Sequence, residues 1–333
     1  MKGLILAAGR GTRLRPLSYT KPKPLLPVMN QPVISYSIEK LRSLGIYDIG
    51  IVIHPDQQEV FQEYLVDLKS EDIQLSYIYQ TNPKGIAHAV GQAEEFIGTD
   101  DFLLLLGDNL IGDQLHSFKK AFESEEIHGT VMVTKVKEPS DYGIAEIKHQ
   151  KIVGLEEKPA HPKSNMAVIG AYLFDFNIFC AIKAIKPSAR GEYEITDAIQ
   201  WMIDNGFSIN YLEAKEPTFD VGTMERWLEA NQWLLQNKYV SESSSPLSFP
   251  RTVIIPPVII GESCKIKDAV IGPYVSIDSD VVLKKMQHSK QYCLKKFTNK
   301  EYTLYDCRQC VWRKIKADRQ GFERKHTTRC IWR

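Results

Sequence analysis

Cysteine is scarce where a disulfide scaffold would need it. Of six cysteines in 333 residues, only Cys180 and Cys264 precede residue 293. So thiol-poor a body is expected in a reducing compartment, which points to the cytoplasm. Long apolar runs are missing as well. The apolar start, Leu4 to Ala8, is too short for the core of a secretion signal and runs at once into arginines. No stretch approaches the roughly 20 apolar residues of a bilayer-spanning helix, so no membrane role is expected. The pattern G-x-G-x-x-G is absent, which argues against a dinucleotide-binding loop.

Excess charge of one sign is also absent from the whole, but not from its parts. The formal net charge is +1. Residues 284–333 hold 15 basic and 4 acidic residues, against 27 and 37 in the remainder. Apolar residues make up 43%, enough to bury the core of one large α/β domain with a small appendage.

Short apolar runs alternate with helix-period segments at the start. Gly3–Leu6, Ile49–Ile53, Gln74–Tyr79 and Phe102–Leu106 read as strands. Between them, Pro32–Leu44, Gln57–Leu65 and Gly85–Phe96 read as helices. This alternation predicts a mainly parallel sheet covered on both faces, with function gathered at the carboxyl ends of its strands. From residue 129 the pattern turns strand-rich, with strands at 130–136, 143–147, 152–155 and 168–174. Helices are expected at 176–184, 194–205 and 223–237. Residues 1–240 read as one domain and the Ser- and Pro-rich 241–250 as a linker.

A new period follows. Ile254, Ile260 and Ile266 are six apart; Ile271 comes after five, then Ile277 and Leu283 after six each. This hexad spacing predicts a partial left-handed β-helix over 251–283, in preference to a few ordinary strands. The period stops where the charge reverses, as a shift of reading frame would leave it, and 284–333 reads as a basic irregular tail. Cys307-x2-Cys310 and His326-x3-Cys330 have zinc-compatible spacing, but no apolar period supports a folded module around them. Nucleic-acid binding through this tail is not expected, since charge alone is poor evidence for it.

Five segments carry chemistry. Leu6-Ala7-Ala8-Gly9-Arg10-Gly11-Thr12-Arg13-Leu14 follows the first strand. Its small residues let backbone N–H groups approach a phosphate, and Arg13 adds a fixed charge. Lys23 sits in a rigid, proline-framed segment ten residues on. Asp108 ends a buried strand, and Asp220 precedes a helix. Each suits a divalent cation, or alternatively a turn or helix cap. Gln80 carries both a donor and an acceptor, enough to read one edge of a pyrimidine, and Gly85 opens a helix beside it. His88 reads as an ordinary helix-face residue.

Together these motifs resemble the sugar nucleotidylyltransferase family, whose loop reads G-x-G-T-R-L and whose next lysine lies in P-K-P-L. The resemblance covers about residues 1–237 and comes nearest the long form of the thymidylyl-transferring branch. It implies a Rossmann-like nucleotidyltransferase domain of α/β class with a mainly parallel mixed sheet. The β-helix fragment and the irregular tail would follow that domain. It further implies that Leu6, Ala8, Gly9, Gly11, Thr12, Gln80 and Gly85 bind nucleotide. Gly143, Glu157, Lys158 and Gly170 would hold the sugar phosphate. Arg13, Lys23 and Lys158 would be catalytic, and Asp108 and Asp220 would hold Mg2+. Glu194 and Thr196 read as fold-supporting. The implied substrates are a nucleoside triphosphate and a sugar 1-phosphate, first dTTP with glucose 1-phosphate. Ala7-Ala8 and Lys23-Pro24 depart from the branch's usual pattern and are common in uridylyl and guanylyl transferases. UTP- or GTP-dependent transfer is therefore one alternative, and a non-catalytic nucleotide-sugar binder another. A homo-oligomer is compatible with the pattern.

Overall fold

The computed structural model describes the chain except residues 10, 16–17, 19–20, 67–71, 124–125, 150, 239–248, 289–290, 296–300, 307–310, 317–325 and 330–333. For residues 238, 284–288, 291–295, 301–306, 311–316 and 326–329 it gives the course of the backbone. The expected linker, apart from residues 249–250, lies outside the described residues, as do Arg10, Cys307, Cys310 and Cys330.

In chain order the elements are β1 (Lys2–Leu6), β2 (Pro27–Val28), β3 (Gln31–Pro32), α1 (Val33–Ser43), β4 (Asp48–Ile53), α2 (Gln58–Leu65) and β5 (Gln74–Tyr79). Next come α3 (Ile86–Gly91), α4 (Glu94–Ile97), β6 (Phe102–Leu106), β7 (Asn109–Ile111), α5 (His116–Phe122), β8 (Gly129–Lys135), β9 (Gly143–Lys148), β10 (Lys151–Glu157) and β11 (Met166–Phe174). Then follow α6 (Ile178–Ala184), α7 (Ile195–Asp204), β12 (Ile209–Glu213), β13 (Thr218–Asp220) and α8 (Met224–Lys238). The chain forms two compact units. One is Met1–Leu26 with Val33–Thr218, the other Pro27–Pro32 with Phe219–Arg333.

The first unit is built on a sheet that has nine strands among the described residues. In it β6, β1, β4 and β5 run parallel in that order, with β5 at the edge. Antiparallel strands extend it: β11 pairs with β6, and β8 and β9 pair with β11. Parallel strands buried on both faces need continuous apolar runs, and Phe102-Leu103-Leu104-Leu105 is fully buried. Successive residues feed opposite cores. Leu4 and Leu104 pack with α3, α6 and α7, through residues such as Val90, Phe179 and Met202. Ile5, Leu103 and Leu105 pack with α1, α2 and α5, through Ile38, Phe61 and Phe118. The result is a helix–sheet–helix sandwich, the mixed α/β architecture expected.

Two differences from the sequence reading concern helices. The helix expected over 85–96 breaks after Gly91, the residue type with the weakest helix propensity bar proline, and resumes as α4. Helix α5 was not anticipated, because its seven residues bury only Phe118 and Phe122.

In the second unit, β2 pairs antiparallel with β3. After α8 come β14 (Val253–Ile254), β15 (Val258–Ile260), β16 (Lys265–Ile271), β17 (Val275–Ile277), β18 (Val282–His288) and β19 (Gln291–Lys295). They form two parallel ladders, β14-β16-β18 and β15-β17-β19. In the pairs Val253↔Val270, Val258↔Val275 and Lys265↔Val282 the partner lies 17 residues further along. The periodic residues Ile266, Ile271, Ile277 and Leu283 are all buried in one cluster. Asn231 of α8 is buried, and its Oδ1 accepts from Met29 N at 2.9 Å and Ser276 Oγ at 2.8 Å.

Strand pairing runs on past Leu283, where the sequence period ends. Instead of an irregular tail, β20 (Glu301–Asp306), β21 (Val311–Lys316) and β22 (His326–Arg329) continue from β19 in antiparallel order. Tyr302-Thr303-Leu304-Tyr305 and Val311-Trp312 are β-favouring residues, and antiparallel pairing needs no six-residue repeat.

Candidate active site

The carboxyl ends of β6, β1, β4 and β5 share one edge of the sheet. The loop after β1 leaves this edge between its neighbours. Ala7 N donates to Val52 O at 2.7 Å, and Gly107 N donates to Leu6 O at 2.9 Å. A side chain at Gly9 would enter open space. Gly11 has φ 57, the left-handed region that favours glycine, and its carbonyl accepts from Ser18 Oγ at 2.7 Å. A tight turn over Thr12–Leu14 follows. It buries Leu14 and leaves Thr12 and Arg13 exposed, with Ala8 buried and Leu6 half-buried.

Lys23 opens a second short turn, Lys23–Leu25, framed by Pro22 and Pro24. It packs against the loop: a Cβ at Gly11 would lie 3.1 Å from Lys23 Cβ. Though 6% exposed, Lys23 keeps its charge matched, since Nζ donates to Asp108 Oδ2 at 2.5 Å. Asp108 follows β6 on the same sheet edge, and its side chain is about one-third exposed, at 30%. Next to it, Asn109 occupies the space that a side chain at the buried Gly170 would need.

Gln80 stands at the end of β5, two strands from β1, about 10 Å along the edge. It is 4% exposed, and its Nε2 lies 3.3 Å from Gly85 O and 2.8 Å from His88 Nδ1. Burial, and then the charge of Lys84, hold His88 below the usual histidine range. Gly85 has φ 103 and ψ 173, and a Cβ there would lie 2.5 Å from Tyr193 O. His88, read from sequence as an ordinary helix-face residue, thus stands against the Gln80 amide. Its signal was the i, i+8 distance to Gln80 across a glycine-opened helix start.

Gly143 and Glu157 face each other in the β9–β10 ladder. Glu157 Oε2 accepts from Thr196 Oγ1 at 3.1 Å, and Oε1 accepts from Arg190 Nη1 at 3.3 Å. A Cβ at Gly143 would lie 2.5 Å from Thr196 Cγ2. Thr196, read from sequence as fold-supporting, therefore touches a candidate sugar-side residue. Lys158 is exposed, with φ 45, and its N donates to Tyr142 O at 3.0 Å. Glu194 is buried. Burial pushes its carboxyl up, opposed by the Ser188 hydroxyl that donates to it at 2.9 Å.

The structure thus joins Gly11, Lys23 and Asp108, joins Gln80 with Gly85, and joins Gly143 with Glu157. Residues 188–196 touch both of the last two groups. Asp220 belongs to the second unit, where its carboxylate lies 3.0 Å from the place of a Cβ on Gly222. Among the described residues no group of three or more His, Cys, Asp or Glu gathers to hold a metal. A lone, partly exposed carboxylate such as Asp108, with Oδ2 on Lys23, fits a hard cation that keeps water and phosphate ligands and does not fit a closed zinc site.

Residues 2–237 match the family model described as nucleotidyl transferase. The chain is 37% identical over 299 residues to a glucose-1-phosphate thymidylyltransferase of Streptomyces griseus, covering 85% of this chain and 84% of that one. It is 41% identical over 239 residues to the low-salt glycan biosynthesis nucleotidyltransferase Agl11 of Haloferax volcanii, covering 72% of this chain and 67% of that one. Among solved structures, a candidate glucose-1-phosphate thymidylyltransferase from Bacillus anthracis in complex with a sucrose aligns with TM-score 0.65 at 37% identity. That alignment covers 69% of this chain and 94% of that one. On the span matched by the family model, which takes in the whole sheet and every site residue described above, the chain belongs to the nucleotidyl transferase family.

Proposed function

We propose that this protein transfers a thymidylyl group from dTTP to glucose 1-phosphate, forming dTDP-glucose and pyrophosphate. The observation that carries the reading is the Lys23–Asp108 pair packed against a glycine loop at the carboxyl edge of the sheet. The names of the relatives support the sugar and the base. Gln80 and Gly85 at the end of β5 support a pyrimidine.

The nucleophile is an oxygen of the sugar 1-phosphate, already anionic near neutral pH. It forms a bond to the α-phosphorus in line with the departing pyrophosphate oxygen, and no proton moves. Catalysis then rests on positioning and on fixed charge. Arg13 holds the triphosphate and steadies the leaving group, with backbone of Leu6, Ala8, Gly9, Gly11 and Thr12 around the phosphates. Lys23 neutralises the α-phosphate or its attacker. Lys158 fixes the sugar phosphate, Glu157 the sugar hydroxyls, and Gly143 and Gly170 leave room for the ring. Asp108 and Asp220 are the residues that would hold Mg2+. When bound, the ion neutralises charge on phosphate oxygens.

The parallel ladders of the second unit support a left-handed β-helix. A 17-residue step is three hexads less one residue, as the five-residue interval from Ile266 to Ile271 requires. Residues 1–240 would then be the catalytic domain and 251–283 the helix fragment.

Pyrophosphate release, measured with dTTP, UTP, dCTP and GTP against glucose and mannose 1-phosphates, tests the proposal. Preference for dTTP with glucose 1-phosphate is expected. Binding without release, or a preference for GTP and mannose 1-phosphate, overturns it. Arg13→Ala is expected to lower kcat at least tenfold, about 1.4 kcal/mol.

A further inference from the structure

We infer that His88 is a positioning residue that fixes the polarity of the Gln80 amide and thereby selects bases with an imide N–H over cytosine. This rests on the reading of Gln80 as the group that meets the base.

Gly85 O accepts hydrogen bonds and donates none, so the Gln80 atom 3.3 Å from it is the amide nitrogen. The same nitrogen lies 2.8 Å from His88 Nδ1. Nδ1 must then be the acceptor, which puts the ring proton on Nε2 and makes His88 the neutral tautomer. Both hydrogens of the Gln80 amide are committed to the protein. Its oxygen Oε1 accepts no hydrogen bond among the described residues and is the atom left for a ligand. An acceptor in that position matches the N3–H of thymine or uracil. Cytosine presents a bare N3 there, so two lone pairs would oppose each other. A flipped amide would reverse the preference, and would set Oε1 against Gly85 O and Nδ1 together.

His88 is held for this task. It stands in the first turn of α3, half-buried, with the Tyr193 ring centroid 6.3 Å away. The charged group facing it is Lys84 and the other titratable one is Tyr193. Burial and Lys84 both favour the neutral ring. Protonation would turn Nδ1 into a donor aimed at a donor, and Gly85 O forbids the compensating flip.

The test is the ratio of kcat/KM for dTTP to that for dCTP, in three variants of the full chain. His88→Phe removes the acceptor and is expected to lower the ratio at least tenfold, mainly through the KM of dTTP. His88→Gln restores an acceptor and is expected to recover most of the ratio. Gln80→Leu tests the underlying reading. If the ratio falls in Gln80→Leu but not in His88→Phe, the positioning role is wrong and the base contact stands. If it is unchanged in Gln80→Leu, the base contact itself is wrong. Should His88→Phe not fold, the wild type still decides. Its ratio should fall as pH drops from about 7.5 to 5.5, while that of His88→Gln stays level. Titration of the phosphates is common to both nucleotides and cancels. Parallel pH profiles in the two proteins overturn the inference.

Discussion

Replacing Gly85 by alanine should uncouple nucleotide binding from the rest of the site. With φ 103 and ψ 173, Gly85 lies in a region almost reserved for glycine. An L-residue there costs about 1–3 kcal/mol before any contact is counted. The new Cβ would also stand 2.5 Å from Tyr193 O and 2.8 Å from Tyr193 N, both backbone atoms that cannot rotate away. Relief requires residues 84–88 to move from Tyr193. That breaks Tyr193 N to Lys84 O at 2.7 Å and Ala87 N to Tyr193 O at 3.0 Å, each contributing about 0.5–1.5 kcal/mol. Strain and lost bonds are alternatives as much as additions, so a net loss of about 2–3 kcal/mol is expected. At about 2–4 °C per kcal/mol for a chain of this size, the Tm should drop by roughly 5–10 °C. Because Gln80 Nε2 leans on Gly85 O, the KM for dTTP should rise at least tenfold while kcat falls less than threefold. Gly45→Ala is the control. Its φ of 73 is also left-handed, but a Cβ there meets nothing within 4 Å, so it should lose about 1 kcal/mol and keep normal kinetics. Thermal unfolding and steady-state rates on the three proteins decide the matter. A Gly85→Ala enzyme with the Tm and KM of the control would refute the steric argument.

Three further outcomes follow from other contacts. Lys23→Met leaves Asp108 able to take water, so stability should change by less than about 2 kcal/mol, while kcat should fall about 100-fold or more. Comparable loss of both would make Lys23 a structural residue. Asn231→Leu orphans the buried donor Ser276 Oγ and the partly buried Met29 N, and should destabilise the chain by about 2–4 kcal/mol in a denaturant titration. His88 has a folded-state value below its usual 6.5, so the unfolded chain binds more protons and acid favours unfolding. Its contribution is complete above about pH 6.5 and is lost as pH falls from there through the lowered value. Wild type minus His88→Gln, followed by Tm from pH 7.5 to 5, should show a gap opening on the acid side.

How much of this was legible beforehand depends on the range of the forces involved. Phe102–Leu106 was readable to the residue because a buried parallel strand is a continuous apolar run, and Gln74–Tyr79, half-buried at the sheet edge, because its residues favour strands. Strand β12 was missed: Ile209-Asn210-Tyr211-Leu212-Glu213 is only partly buried and has no clean alternation, and its pairing with β8 is decided by residues 80 positions away. The same divide runs through the site. The loop, Lys23 and Asp108 announce themselves by local spacing. Thr196 does not, because its bond to Glu157 spans 39 residues, and a threonine at a helix start has an ordinary explanation as a cap. The tail shows the converse error. No six-residue period continues after Leu283, although pairing between strands needs only β-favouring residues in register.

The titration shifts and the fixed charges are divided between different parts of the site, and the division bears on the chemistry. His88 is held down, and Glu194 and Asp197 are pushed up, each first by burial and each toward its neutral form. These three lie on the base and sugar sides, where they brace Gln80 and the start of α7. The loop end is served by groups that do not need to titrate: Arg13 exposed, and Lys23 matched to Asp108 as a pair without net charge. An attacking phosphate oxygen brings its own negative charge and needs no base. What it needs is cations held still against their own repulsion, and a lysine pinned by an aspartate at 2.5 Å supplies that without leaving an unpaired charge buried while the site waits.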